Sequence, residues 1–330
     1  MSMTDLRPLH HHGHVDDVRQ LGWGRHAARE ASQGLTPARP PGPIVATMDR
    51  SFYREDFRNF LTRFDACADL IVTSPPYVDA RTPEAYGVDK PWTVQDDREL
   101  GDAMFRALRP GGTAFVVVGS PVRKWRKGHC TERGLEPVRW LLDLVDRVGF
   151  TCPDVLIFGR LGLPGAYTGR FRNDFEPVLW LQKPGGEPTF DKGPLDGAAT
   201  MDYKGKLSTA RNEDGSIRSR HASGDAAERG VKRRGTVWEY GNVGRSHSAP
   251  PVMEAADHPA AYPLKLAEDA VACFSRPGDL VLDPFSGRGT TALACARLGR
   301  RFAGGDLGTA RDGRPWADVA AELVAKLAET

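Results

Sequence analysis

The 330-residue chain has no apolar run approaching the roughly 20 residues needed to cross a bilayer, and its N-terminus lacks the apolar stretch of a secretory signal. These absences exclude a helical membrane protein and predict a soluble, cytoplasmic one with no membrane partner. Cysteine is scarce: Cys67, Cys130, Cys152, Cys273 and Cys295 form an odd set without a C-x-x-C pair. That excludes a disulfide-stapled scaffold and a zinc knuckle, and predicts reduced thiols and no metal. Net charge is nearly absent as well, with 45 Lys and Arg against 43 Asp and Glu for a formal +2. Any polyanion-binding surface must therefore come from where the positive charge sits, not from its total.

What the chain does have is enough apolar residue, 40%, to bury a substantial core, and a length that fits one large α/β domain carrying an insertion. Residues 1–43 hold His10, His11, His12 and His14, then Pro37, Pro40, Pro41 and Pro43, and read as a loose tail rather than a metal site. From Ile44 onward short apolar runs alternate with helix-period segments, the signature of a parallel sheet with crossover helices. Strands are predicted over 44–48, 70–73, 113–119, 155–158, 177–182, 280–283 and 301–305, giving a doubly wound, mostly parallel α/β sheet. Val138, Leu141, Leu142, Val145 and Val148 share one predicted helical face. So do Leu266, Ala267, Ala270, Val271 and Phe274, and, in the last helix, Trp316, Val319, Ala320, Leu323 and Leu327.

One segment breaks the alternation. Residues 185–250 are rich in Gly, Ser and charge and read as an insertion outside the main sheet, separating one half of the domain, 44–184, from the other, 251–330. Between Met201 and Arg245 ten Lys and Arg face six Asp and Glu, a local excess of four where the whole chain carries two.

Val281-Leu282-Asp283-Pro284-Phe285-Ser286-Gly287-Arg288-Gly289-Thr290-Thr291 runs from a predicted strand into an Ala-rich helix. Its glycines permit a tight turn and close approach of a ligand, and the helix start offers unpaired N–H groups. A bare G-x-G would also suit a structural turn. The loop lacks both a P-loop lysine and a full G-x-G-x-x-G, and the next predicted strand ends in Gly304-Gly305-Asp306, an acid placed to accept from ribose hydroxyls. A nucleoside without phosphate is implied, a description that S-adenosylmethionine fits.

Thr73-Ser74-Pro75-Pro76-Tyr77 follows the buried run Leu70-Ile71-Val72, at the carboxyl end of a strand where ligands of open α/β sheets bind. Two consecutive prolines fix the backbone and remove two donors, leaving a loop that presents oxygen acceptors beside the Ser74 hydroxyl and the Tyr77 ring. That set suits an amino group on a planar ring. A base in a duplex reaches such a pocket only by flipping out.

Taken together, these loops resemble those of the amino-group DNA methyltransferases. Thr73 to Tyr77 looks like their catalytic S/D/N-P-P-Y motif, with Ser74, Pro75, Pro76 and Tyr77 as its core, and Asp283 to Thr291 looks like their D-P-F-x-G-x-G-T-T cofactor motif. Leu108-Arg109-Pro110-Gly111-Gly112, Phe175 to Trp180, Thr236-Val237-Trp238, His258-Pro259 and Tyr262-Pro263 sit where that family has matching stretches, so the resemblance spans roughly 44–310. The order, catalytic loop first and insertion between, is similar to the β class.

The resemblance implies a seven-stranded Rossmann-like sheet with one reversed strand and S-adenosyl-L-methionine as cofactor. It assigns cofactor contacts to Thr73, Asp283, Pro284, Phe285, Ser286, Gly287, Gly289, Thr290 and Thr291. It adds Tyr262, Pro263 and Leu264 for the methionine part, Asp306 for the ribose and Asp49 for the adenosine. It makes 185–250 the target-recognition insertion, gripping double-stranded DNA through Lys204, Lys206, Arg218, Arg220, Lys232, Arg233 and Arg234, with Arg123, Lys124, Arg126 and Lys127 touching DNA beside the active site. Ser74 inclines the target toward cytosine N4 over adenine N6. Carbon-5 methylation is disfavoured, because no cysteine stands in the required P-C arrangement. RNA or a protein glutamine as acceptor, and a DNA-binding module without chemistry, are the alternatives. A cognate restriction endonuclease and homodimerisation are compatible with the family and leave no mark in a single chain.

Overall fold

All six residues of Ala68–Thr73 are buried, as a strand covered by helices on both sheet faces has to be. The structure, a computed structural model, describes residues 52–78, 88–119, 121, 133–160, 171, 173–198, 207–221, 231–232, 234–240 and 262–328. In chain order the strands are β1 (Phe52–Tyr53), β2 (Ala68–Thr73), β3 (Leu108–Val117), β4 (Thr151–Arg160), β5 (Phe175–Gln182), β6 (Gly197–Ala198), β7 (Leu207–Arg211), β8 (Ile217–His221), β9 (Val231–Lys232), β10 (Val237–Tyr240), β11 (Leu280–Asp283) and β12 (Arg301–Gly305). The helices are α1 (Phe57–Thr62), α2 (Val94–Ala107), α3 (Glu136–Asp143, continued by a π-helical turn over Leu144–Val148), α4 (Leu264–Phe274), α5 (Thr290–Leu298) and α6 (Trp316–Ala328).

Eight strands form one sheet in the order β1-β12-β11-β2-β3-β5-β4-β10. β5 alone runs against its neighbours, pairing antiparallel with β3 and β4, while the other pairs are parallel. The doubly wound sheet with one reversed strand is thus present. Side-chain alternation along β2 and β3 feeds two cores: Leu70, Val72, Phe115 and Val117 pack with α4 and α5 on one face, and Ile71, Ala114 and Val116 with α1, α2 and α3 on the other.

Three expectations change. The sheet holds eight described strands where seven were expected, with β1 at the described edge, paired with β12; the strand expected over 44–48 lies outside the described residues. The segment expected to stand outside the sheet returns to it: β10 pairs with β4, burying Trp238 and Tyr240 while Val237 and Glu239 face out. Trp238 stacks on Phe115 with ring centroids 5.6 Å apart, which is the burial that draws so short a strand in. On α3 the buried stripe is Pro137, Trp140 and Leu144, and Val138 and Leu142 are each 55% exposed. The larger indole takes the core, with its Nε1 donating to the Asp97 carbonyl at 2.8 Å; of the expected face, Leu141 and Val148 still pack against the core while Val138 and Leu142 turn outward. The expected face of α4 is buried as read, with Leu266, Ala267, Ala270, Val271 and Phe274, and so are Trp316, Val319, Ala320 and Leu323 of α6; the Leu327 side chain lies outside what is described. Among the described residues no helix is long and apolar enough to cross a membrane.

Candidate active site

β11 and β2 are parallel neighbours, with Val281 opposite Leu70 and Leu282 opposite Ile71, so the loops at their carboxyl ends emerge side by side. From β2 the chain moves through α2 to β3 on one side, and from β11 through α5 to β12 on the other. This is a topological switch point, where open α/β sheets place their ligands.

A buried carboxylate ties the two loops together. Asp283, the last residue of β11 and 1% exposed, accepts from Thr73 Oγ1 at 2.8 Å and from the Phe285 N–H at 3.1 Å on one oxygen. Its other oxygen accepts from Thr291 Oγ1 at 2.6 Å and from the Tyr262 hydroxyl at 3.1 Å. Burial raises the Asp283 pKa, and its hydrogen bonds oppose that rise. The Tyr262 phenol is pushed well above its usual value by burial and by the Asp283 charge, so it remains a donor.

Asp306 shapes the second half of the loop from Asp283 to Thr291. Its carboxylate accepts from the Gly287 N–H and the Gly308 N–H, both at 2.8 Å, and burial pushes its pKa up to about 6. Gly287 at φ +47° and Gly289 at φ +87° make the turn that side chains resist. A Cβ on Gly289 would come within 2.9 Å of Val324 and 3.2 Å of Ala320, so this glycine also lets α5 start against α6.

The loops open on one cavity of about 660 Å³. Ser74, Pro76 and Tyr77 line it from one loop, and Pro284, Phe285 and Asp306 from the other side. Ser74 Oγ and the Tyr77 hydroxyl lie 2.8 Å apart and hold the Thr73 to Tyr77 loop in a closed turn. Facing them, Phe57, Trp92 and Phe285 form an aromatic wall with centroids 5.3 to 5.6 Å apart. Trp92 is fixed by its Nε1, which donates to Asp97 Oδ1 at 2.7 Å, and burial pushes the Asp97 carboxyl up to about 6. A capping box between Thr93 and Asp96 starts α2 at the cavity rim. Arg58, also on the lining, is held by Asp56, Asp96 and Glu99.

The family model described as DNA methylase, for N6 and N4 methyltransferases, matches residues 68–310. The chain belongs to this DNA methylase family. It is 30% identical over 246 residues to the orphan methyltransferase M.BamHII of Bacillus amyloliquefaciens, covering 74% of this chain and 85% of that relative. To the type II methyltransferase M.PvuII of Proteus hauseri it is 25% identical over 279 residues, 79% of this chain and 80% of the relative. Among solved structures, the fold is shared with the DNA modification methylase TTHA0409 from Thermus thermophilus, solved with S-adenosyl-L-methionine, at TM-score 0.54 and 24% identity over 84% of this chain and 94% of that one. It is shared too with the PvuII DNA methyltransferase, described as cytosine-N4-specific, at TM-score 0.56 and 18% identity over 84% and 90%.

Within this methylase the expected site residues divide by depth. Ser74, Pro76, Tyr77, Pro284, Phe285 and Asp306 line the cavity. Thr73, Asp283, Thr291 and Tyr262 form the hydrogen-bonded floor beneath it. Pro75, Pro263, Leu264, Ser286 and Thr290 are buried, and Ser286 Oγ has no partner among the described residues. Asp49, Arg123, Lys124, Arg126, Lys127, Lys204, Lys206 and Arg233 lie outside the described residues. Arg218 and Arg220 fall on β8, in the antiparallel pair with β7, and Lys232 on β9. Arg234 is half-buried with its guanidinium 5.8 Å over the Tyr240 ring. Phe57, Arg58 and Trp92 were not anticipated. Thr93-x-x-Asp96 was the legible signal there, since it marks a helix start and so places Trp92 at the end of the preceding loop.

Proposed function

We propose that this DNA methyltransferase transfers a methyl group from S-adenosyl-L-methionine to the N4 amine of a cytosine flipped out of double-stranded DNA at a specific sequence. The observation that carries this reading is the convergence of Ser74, Pro76 and Tyr77 with Pro284, Phe285 and Asp306 on one cavity. The residues fit the cofactor: the glycine turn at 287–289 leaves room for close approach, the N-terminus of α5 adjoins it, and the buried Ser286 hydroxyl has no partner among the described residues. When bound, S-adenosyl-L-methionine supplies an electrophilic methyl carbon on a sulfonium. Phe285 and Pro284 would pack on it and Asp306 would accept from its ribose. Tyr262, Thr73 and Thr291 hold this arrangement through Asp283.

Ser74 and the loop carbonyls accept the N–H bonds of the target amine and turn its lone pair outward, while Tyr77 stacks on the base. Held so, the amine would offer its lone pair to the methyl carbon that the cofactor supplies, and the proton it loses on becoming methylated would pass to water. No residue need act as a strong base, so the rate comes from position. The basic segment 201–245, with Arg218, Arg220 and Lys232 on its strands, is assigned to the DNA phosphates and base edges.

The cytosine assignment draws on Ser74 and on the relative M.PvuII, whose structure is described as cytosine-N4-specific. Hydrolysing duplex DNA to nucleosides after incubation with labelled S-adenosyl-L-methionine tests it. Label in N4-methylcytosine is the expected result; label in N6-methyladenine moves the target to adenine, and label reaching only RNA or protein refutes the reading.

A further inference from the structure

Gly119 stands two residues beyond the end of β3 and is buried. Its φ is not among the positive values, so the backbone there would accept any residue. The room would not. A Cβ at this position would lie 2.2 Å from Tyr77 Cε2, 2.4 Å from Cδ2 and 3.0 Å from Cζ, its three nearest atoms, all in the Tyr77 ring. Such separations are well inside the roughly 3.5–4.0 Å at which carbon atoms attract.

The same ring borders two spaces. It lines the main cavity, and it lines a second cavity of about 20 Å³ bounded by Pro75, Val118, Gly119, Asp97 and Trp140. Pro75 and Pro76 fix the backbone entering Tyr77, so the ring can escape a side chain at 119 only by turning about its own χ angles. That turn takes the hydroxyl away from Ser74 Oγ, 2.8 Å distant, and the ring away from β3.

We propose that Gly119 is a positioning residue for methyl transfer: its missing side chain admits the Tyr77 ring to the end of β3 and so sets where the target base stacks. This rests on Tyr77 being the stacking face. Because an aromatic side chain can swing, Gly119→Ala should fold and bind S-adenosyl-L-methionine within about twofold of wild type. Its kcat should fall about 10- to 100-fold, the scale of an ångström-sized misplacement. In the Tyr77→Ala background the same substitution should change kcat less than about twofold.

The thermal midpoints of wild type, Gly119→Ala, Tyr77→Ala and the double variant, read without DNA, supply an independent arm. Gly119→Ala should lower the midpoint only where Tyr77 is present. Equal losses in both backgrounds, a Gly119→Ala enzyme with wild-type kcat, or an unfolded Gly119→Ala that Tyr77→Ala does not restore would each overturn the proposal. If the midpoints couple but Tyr77→Ala transfers methyl normally, the stacking role of Tyr77 is what fails. If they do not couple while Tyr77→Ala is inactive, that role stands and Gly119 has no part in it.

Discussion

Two carboxylates near the cofactor loop differ in what their hydrogen bonds leave over. Asp283 receives two donors on each oxygen and is closed to any ligand, so its work is to fasten β2 to β11. Asp306 receives one backbone N–H on each oxygen and lines the cavity, so each oxygen keeps a lone pair for a ligand hydroxyl. Its pKa, raised by burial to about 6, fixes two pH dependences of opposite sign. An unfolded Asp titrates near about 3.9, so the folded protein keeps this proton over a range where the unfolded chain has lost it. The stability from that proton is full below about pH 4 and is lost as the pH rises through about 6. Ligand binding runs the other way, because the ionised carboxylate is the better acceptor. Affinity for S-adenosyl-L-methionine, measured by calorimetry, should rise between about pH 5 and about pH 7, and Asp306→Asn should bind weakly with that rise removed. A rise of unchanged size in Asp306→Asn would assign the step to another group, Asp97 first among them.

At the scale of the element, α3 shows how a helix chooses between two apolar stripes. Val138 and Leu142 lie outward, and Pro137, Trp140 and Leu144 inward, with the indole N–H paired to the Asp97 carbonyl of α2. Trp140→Ala should therefore cost about 3 kcal/mol in urea unfolding, whereas Leu142→Ser should cost less than about 0.5 kcal/mol. The reverse ordering would contradict this placement of the helix. Periodicity located α3 but could not orient it, because aliphatic spacing was satisfied by both stripes and only the size of Trp140 separates them. β11 and β12 were legible to the residue, since each is an apolar run closed by turn residues. β10 was hidden: four residues in a charged segment acquire their strand character from Phe115 and from pairing with β4, both distant in sequence. The floor of the site was readable from Thr73 to Tyr77 and from Asp283 to Thr291 for a related reason, because each loop continues a strand and its chemistry is local. Phe57 and Trp92 reach the same cavity only through tertiary packing: the Thr93-x-x-Asp96 helix start placed Trp92 at a loop end but not at the cavity, and nothing local placed Phe57 there.

In the whole molecule, loops some 210 positions apart in the chain meet through the hydrogen bond from Thr73 to Asp283. The doubly wound sheet makes this possible by setting β2 beside β11 at its switch point, with α2 and α5 leaving toward opposite faces. One half of the chain then brings the Ser74 to Tyr77 loop and its aromatic ring to the cavity, and the other a glycine turn and a carboxylate. The segment between the halves carries the local excess of positive charge that the chain as a whole lacks. Two loops sharing one cavity, each with its own partner, is the central claim, and it makes binding and transfer separable. The most direct test is to measure methyl transfer from labelled S-adenosyl-L-methionine to duplex DNA alongside calorimetric cofactor binding, for wild type and Tyr77→Ala. The arrangement predicts that Tyr77→Ala loses about 100-fold or more in transfer while cofactor affinity stays within about twofold. Loss of cofactor binding in step with transfer would contradict it.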